Sequence, residues 1–221
     1  MAKVYLSPSD QESNVYAYDN TNEAVQCGRI AEACRAALER SGVEVKVGHM
    51  ISMAQKCSES NTFGADLHVP IHTNAFNGKV MGTRMFCFND SGNGMRACKA
   101  IFARLAPITP GESENIQVNA DYYEVRVPAA PTAYIECEFH DTVEGAKWIV
   151  ENTVLIGETI ARGICDYFGV TFKEPEQPKP PAGATIYRVQ VGAYAKKENA
   201  ENMLAKLKKD GYSGFIVEGK T

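Results

Sequence analysis

Apolar positions recur with a period of two in several short stretches and with a helical period between them. Lys3 to Leu6, Val43 to Val47, the stretch from Asp66 to Ala75, Val80 to Phe88 and Thr132 to Cys137 read as strands, with Tyr122 to Val127 as an edge strand. Cys27, Ile30, Ala31, Cys34 and Leu38 fall on one stripe of a helix that Asn22 would cap and Ser41-Gly42 would end. Ser52 to Asn61 predicts a short helix, and Met95, Cys98, Ile101, Phe102 and Leu105 a second amphipathic one. Thr142 to Phe168 predicts one long helix, with Trp148, Ile149, Ile156, Ile160, Ile164 and Tyr167 inward. Pro107 to Asn119 reads as loop. Strands spaced by helices predict an α/β domain: a mostly parallel, twisted sheet with helices on both faces.

The pattern changes at Lys173. KEPEQPKPPAG, up to Gly183, is proline-rich and nearly devoid of apolar residues, as in an extended, semi-rigid linker. Periodicity returns as a strand from Ile186 to Tyr194, a helix from Lys197 to Lys209 and a strand from Gly214 to Val217. The expected organisation is an α/β domain over 1–172, a linker over 173–184 and a small β-α-β unit over 185–221, too short to bury much core alone.

Composition narrows the function classes. The chain has 221 residues, 44% of them hydrophobic, and a formal net charge of −4. That balance lacks the basic footprint of a nucleic-acid binder. No run approaches the roughly 18–20 apolar residues that span a bilayer, so no membrane insertion is expected. The N-terminal apolar run is too short for a signal peptide, which predicts synthesis in the cytoplasm and export by another route. The seven cysteines form no C-x-x-C pair and most sit at apolar positions, which predicts reduced, packed thiols.

Candidate chemistry gathers where strands end, because open α/β sheets bind ligands beyond the carboxyl ends of their strands. In Asp66-Leu67-His68-Val69-Pro70-Ile71-His72-Thr73-Asn74-Ala75, Val69 and Ile71 share one face and His68 and His72 the other. Four residues along a strand is roughly 13 Å, too far for both histidines to hold one ion. His72, beside the loop, is the candidate ligand and His68 a structural residue. Leu6-Ser7-Pro8-Ser9-Asp10-Gln11 follows the first strand, and Thr132 to His140 carries Glu136, Glu138 and His140. Glu136 lies in an otherwise apolar strand; burial would raise its pKa toward that of a general base. Glu138 reads as a rim acid. Three strand ends carrying Asp/Gln, His and Glu/His point to a divalent metal with a general base.

From Lys3 to about Val170 the chain resembles the zinc-dependent N-acetylmuramoyl-L-alanine amidases of the amidase-3 family. Ile71-His72-Thr73-Asn74-Ala75 is similar to that family's S-I-H-A-N segment, and Pro131 to Phe139 to its P-A-V-L-V-E-x-G-F segment. Asn22-Glu23 matches the position of its ligand glutamate, and Asn61 its R-x-x-x-A-N segment. The resemblance implies Zn²⁺ held by Glu23 and His72, Glu136 as the catalytic acid and base, and cleavage of the amide between N-acetylmuramic acid and L-alanine. The family's first ligand, the histidine of D-P-G-H-G-G, is missing from Ser7-Pro8-Ser9-Asp10-Gln11. His140 is preferred as the third ligand because imidazole suits zinc, with Asp10 and Gln11 as alternatives. Tyr187-Arg188-Val189-Gln190-Val191-Gly192-Ala193-Tyr194 resembles the start of a SPOR domain, which implies binding to the glycan strands of peptidoglycan. The expected protein is an autolysin or phage endolysin acting on the bacterial wall after release. Its rivals are a zinc peptidase acting on stem peptides and a non-catalytic wall-binding protein.

Overall fold

The computed structural model of the chain describes residues 1–113, 116–175, 189–209, 212 and 214–219. They fall in two compact units, Met1–Pro175 and Glu176–Thr221. In the first unit the strands are β1 (Lys3–Pro8), β2 (Glu44–Val47), β3 (Leu67–Asn74), β4 (Arg84–Cys87), β5 (Ile116–Val118) and β6 (Tyr134–Phe139). The helices are α1 (Glu23–Arg40), α2 (Met53–Phe63), α3 (Gly92–Leu105), α4 (Tyr123–Arg126), α5 (Val143–Glu151) and α6 (Thr153–Phe168). The six strands form one sheet in the order β2-β1-β3-β6-β4-β5. All neighbouring pairs are parallel except β4 with β6. The carboxyl ends of β1, β3 and β6 therefore open on the same edge.

Side-chain alternation assigns the two faces of the sheet. Val4, Leu6, Val69, Ile71, Ile135 and Cys137 pack into one core with Ile30, Cys34 and Leu38 of α1, Ile101 of α3 and Ile156, Ile160 and Ile164 of α6. Each fully buried aliphatic side chain in that core contributes roughly 1.5–3 kcal/mol. Gly157 lets α6 approach α1: a Cβ there would lie 2.5 Å from the Ile30 carbonyl oxygen and 2.7 Å from Ala33 Cβ. The opposite face carries Tyr5, Ser7 and His68, covered by α2 and α4, through the contacts of Tyr5 with Glu59 and of His68 with Glu124. Helices thus cover both faces, as the alternation of strands and helices predicts.

The helix boundaries follow local chemistry. The Asn22 side chain accepts from Val25 N at 3.0 Å, capping α1, and Gly42 continues past Ser41 at φ +87°, a conformation few L residues adopt. Ser52 and Gln55 form a reciprocal capping box on α2.

Four expectations need correction. The strand expected from Val80 to Phe88 is confined to Arg84–Cys87, because Gly82, at φ +121°, packs directly against the backbone of Glu112 and Ser113. Tyr122 to Val127 is not the edge strand: Tyr123–Arg126 is a helical turn with consecutive residues Glu124 and Val125 both buried, which a strand with one covered face cannot do. The edge strand is Ile116–Val118, inside the expected loop and too short to display a period. The single helix over 142–168 is two, broken at Asn152, whose Nδ2 donates to the Trp148 carbonyl in place of the helix ladder.

In the second unit the described residues include one helix, α7 (Lys197–Lys209). The expected strands over 186–194 and 214–217 are not formed at the described residues 189–194 and 214–217. Val189, Val191, Phe215 and Val217 are exposed there, so among the described residues these segments have no apolar surface to pair over. The linker expected over 173–184 falls mostly on 176–184, outside the described residues. Among the described residues no helix is long and apolar enough to cross a membrane.

Candidate active site

The parallel register of β3 with β6 sets His72 directly opposite Glu136, at the carboxyl edge of the sheet. The first turn of α1 delivers Glu23 to the same place. His72 Nδ1 donates to Glu23 Oε1 at 2.9 Å, and Thr73 N lies 3.4 Å from the same oxygen. The other carboxylate oxygen accepts from Asn14 Nδ2 at 2.6 Å. Asn14 is held by its carbonyl, which accepts from Glu23 N, and by Gln11 Oε1, which accepts from its Nδ2 at 3.1 Å. Gln11 Nε2 lies 3.5 Å from His72 Nδ1. The His72 ring stacks on Tyr134 with centroids 4.7 Å apart, and this fixes the imidazole plane.

The electrostatics follow from burial and this pairing. Burial by itself would push Glu23 up, but the hydrogen bond and charge of His72, with Asn14 and Ser9, hold it below the usual carboxylate range. Burial opposes a charge on His72, yet Glu23 and Glu136 raise its pKa. Burial pushes Glu136 up to about 7, against the pull of His72 and Arg84, with Glu23 adding to the rise. A carboxyl poised near neutrality can both take and give a proton. Two buried atoms at this site have no hydrogen-bond partner among the described residues, His72 Nε2 and Glu136 Oε2. Unpaired buried polar atoms are costly, and here both sit on groups suited to a cation and to a reacting proton. The imidazole of His72 and the carboxylate of Glu23 therefore fit a divalent ion such as zinc.

The remaining sequence candidates take other partners. Asp10 turns toward α2, with Oδ2 2.7 Å from Lys56 Nζ and Oδ1 accepting from Met50 N at 2.6 Å. His140 is buried one step away, its Nδ1 3.0 Å from Thr73 Oγ1 and its ring stacked on Tyr16 at 4.9 Å. Gln11 is the candidate that reaches His72. Glu138 is not a rim acid: it is fully buried, and Oε1 accepts from Gly82 N at 2.8 Å and Phe139 N at 2.6 Å, holding the Gly82 loop. His68 lies away from this centre, fully buried against Tyr5 and Glu124. Asn61 Oδ1 accepts from Ala129 N at 2.8 Å and anchors the chain before β6. Asn14, Tyr134 and Arg84 escaped the sequence reading. Polar loop residues carry no periodic signal, and the only hint for Arg84 was a charge inside an apolar strand.

A family model described as N-acetylmuramoyl-L-alanine amidase matches residues 9–166, and a SPOR domain model matches residues 170–220. The sporulation-specific N-acetylmuramoyl-L-alanine amidase of Bacillus subtilis (strain 168) is 23% identical over 98% of this chain and 85% of its own length. The N-acetylmuramoyl-L-alanine amidase CwlM of Bacillus licheniformis is also 23% identical, with the same coverage. Among solved structures, the catalytic domain of CwlV from Bacillus (Paenibacillus) polymyxa var. colistinus shares the fold. It has a TM-score of 0.70 at 16% identity, over 77% of this chain and all of that one. AmiC2 of Nostoc punctiforme has a TM-score of 0.67 at 17% identity, over 76% of this chain and 97% of that one.

Proposed function

Since the chain belongs to the N-acetylmuramoyl-L-alanine amidase family and is a cell-wall amidase, we propose that His72, Glu23 and Glu136 carry out a zinc-dependent hydrolysis. The bond cleaved is the amide between the lactyl group of N-acetylmuramic acid and the L-alanine of the stem peptide. The observation that carries this reading is the pairing of His72 with Glu23 directly across the β3–β6 register from Glu136, with His72 Nε2 and Glu136 Oε2 left unpaired.

His72 and Glu23 would hold the ion. Gln11 would supply the third ligand through Oε1, which here accepts from Asn14, because its carboxamide is beside His72 whereas Asp10 and His140 are engaged elsewhere. Zinc in such a site supplies a Lewis acid that polarises the scissile carbonyl and acidifies a water. Asn14 orients the Glu23 carboxylate and Tyr134 the His72 ring. Glu136 Oε2 takes a proton from the attacking water and returns it to the departing amine nitrogen of L-alanine. Its pKa of about 7 suits both transfers. Residues 185–221, tethered by 173–184, hold the enzyme on glycan strands and raise the local concentration of substrate.

The test is Glu136→Gln on purified sacculi, followed by release of stem peptides with a free L-alanine amine. We expect the rate to fall by about 10²–10⁴ with the fold unchanged. A variant that keeps the wild-type rate removes Glu136 from this role, and release of any other new amine points to a peptidase.

A further inference from the structure

On the same face of β3 as His72, four residues upstream along the strand, lies a second cluster that the amidase chemistry does not use. Cys57 of α2, His68 of β3 and Glu124 of α4 each offer a ligand atom, and these atoms all lie within 4.8 Å of one another. Among the described residues this is the set of three His, Cys, Asp or Glu side chains that converges in this way. It is closed: Cys57 is 1%, His68 0% and Glu124 3% exposed. His68 Nε2 lies 3.3 Å from Glu124 Oε1, and His68 Nδ1 is buried with no hydrogen-bond partner among the described residues. Ser7 Oγ donates to the same Glu124 oxygen, and the Tyr5 ring lies flat on the imidazole at 5.4 Å.

We propose that Cys57, His68 and Glu124 form a closed structural site for a divalent cation of the zinc class, distinct from the hydrolytic centre. Thiolate, carboxylate and neutral imidazole together carry two negative charges, and one divalent ion brings the buried sum to zero. A site with sulfur, nitrogen and oxygen donors suits Zn²⁺ and Co²⁺ and disfavours Mg²⁺ and Ca²⁺, which take oxygen. Ser7 and Tyr5 orient two of the ligands, as the partners of metal-binding side chains commonly do. The ligands come from the sheet and from both helices that cover this face, so the ion would pin α2 and α4 to β3. All three ligand side chains are buried, so a substrate cannot reach an ion held there, which separates this site from one that performs hydrolysis; the fourth position of a tetrahedral ion would be left to a small donor such as water. The proposal does not rest on the assignment of His72 and Glu23.

The full chain loaded with Co²⁺ tests it. A thiolate ligand gives a sulfur-to-cobalt charge-transfer absorption in the near ultraviolet, which the nitrogen and oxygen donors of the hydrolytic centre cannot produce. We expect that absorption in the wild type, in His72→Ala and in Glu23→Gln. We expect its loss in Cys57→Ala, together with one equivalent of bound metal, while hydrolysis on sacculi persists. His68→Gln serves as the second variant and should lose the same equivalent. A wild type without the thiolate absorption overturns the proposal, whatever the variants do. So does an absorption that survives Cys57→Ala, or bound metal that disappears entirely with His72→Ala.

Discussion

Asn14→Ala removes two side-chain hydrogen bonds and leaves every proposed ligand in place. In the wild type Asn14 Nδ2 donates to Glu23 Oε2 at 2.6 Å and to Gln11 Oε1 at 3.1 Å, so one amide orients two of the three groups around the ion. A hydrogen bond to a charged group is worth about 1.5–3 kcal/mol. Loss of a side chain that orients a metal ligand typically costs about 10–100-fold in affinity, the same range by another route. The expected result is a zinc affinity about 10–100-fold weaker, measured by competition with a chromophoric chelator. Excess zinc should restore most of the hydrolytic rate, because mass action refills a weakened site. Asn14→Asp should be worse than Asn14→Ala, since it sets a second carboxylate against Glu23. Unchanged zinc affinity in Asn14→Ala would refute the idea that this amide holds the ligand carboxylate. Activity lost at saturating zinc would show that Asn14 acts on the substrate instead.

Other outcomes follow from the same geometry. Glu138 has a folded pKa of about 7 against an ordinary value of 4.5, through burial. The folded state thus binds the proton more tightly, and stability should fall as pH rises between those values, by at most about 3 kcal/mol. Glu138→Gln keeps an acceptor for Gly82 N and Phe139 N, so urea unfolding at about pH 5 and pH 8 should show a smaller fall in the variant than in the wild type, the part that remains coming from Glu136. Gly157→Ala should cost about 1–3 kcal/mol by thermal melting, because its Cβ would meet the α1 backbone at Ile30; an unchanged melting temperature would mean that α6 slides freely on α1. A chain ending at Pro175 should keep its rate on soluble muropeptides and lose retention on sacculi; equal retention would remove the tail from glycan binding.

Much of the catalytic unit was legible because its signals are local and repeated. The alternation of Val69 and Ile71 with His68 and His72 set the two faces of β3, and both faces are occupied as expected. Asn22 and Gly42 marked the ends of α1 because capping depends on a side-chain oxygen and on a positive φ, both properties of single residues. Glu136 stood out as an acid in an apolar strand, and it is buried there with a raised pKa. Where local signals conflicted the sequence misled. Tyr122 to Val127 alternates like a strand, yet one helical turn buries Glu124 against His68, and that misreading concealed the Cys57–His68–Glu124 cluster. Asn152 gave no warning in a helical pattern that continues on both sides of it.

The chain alone therefore determined the class of fold, the strand that carries His72 and the acid that faces it, because periodicity, capping and composition act over a few neighbouring residues. Tertiary structure decided the company those groups keep. Asp10 pairs with Lys56, 46 positions along the chain, His140 is tied to Thr73 and Tyr16, and Gln11 and Asn14 close around His72 and Glu23. Such contacts join residues far apart in the chain. They depend on strand order, register and the direction in which each loop leaves the sheet, and no local pattern encodes those.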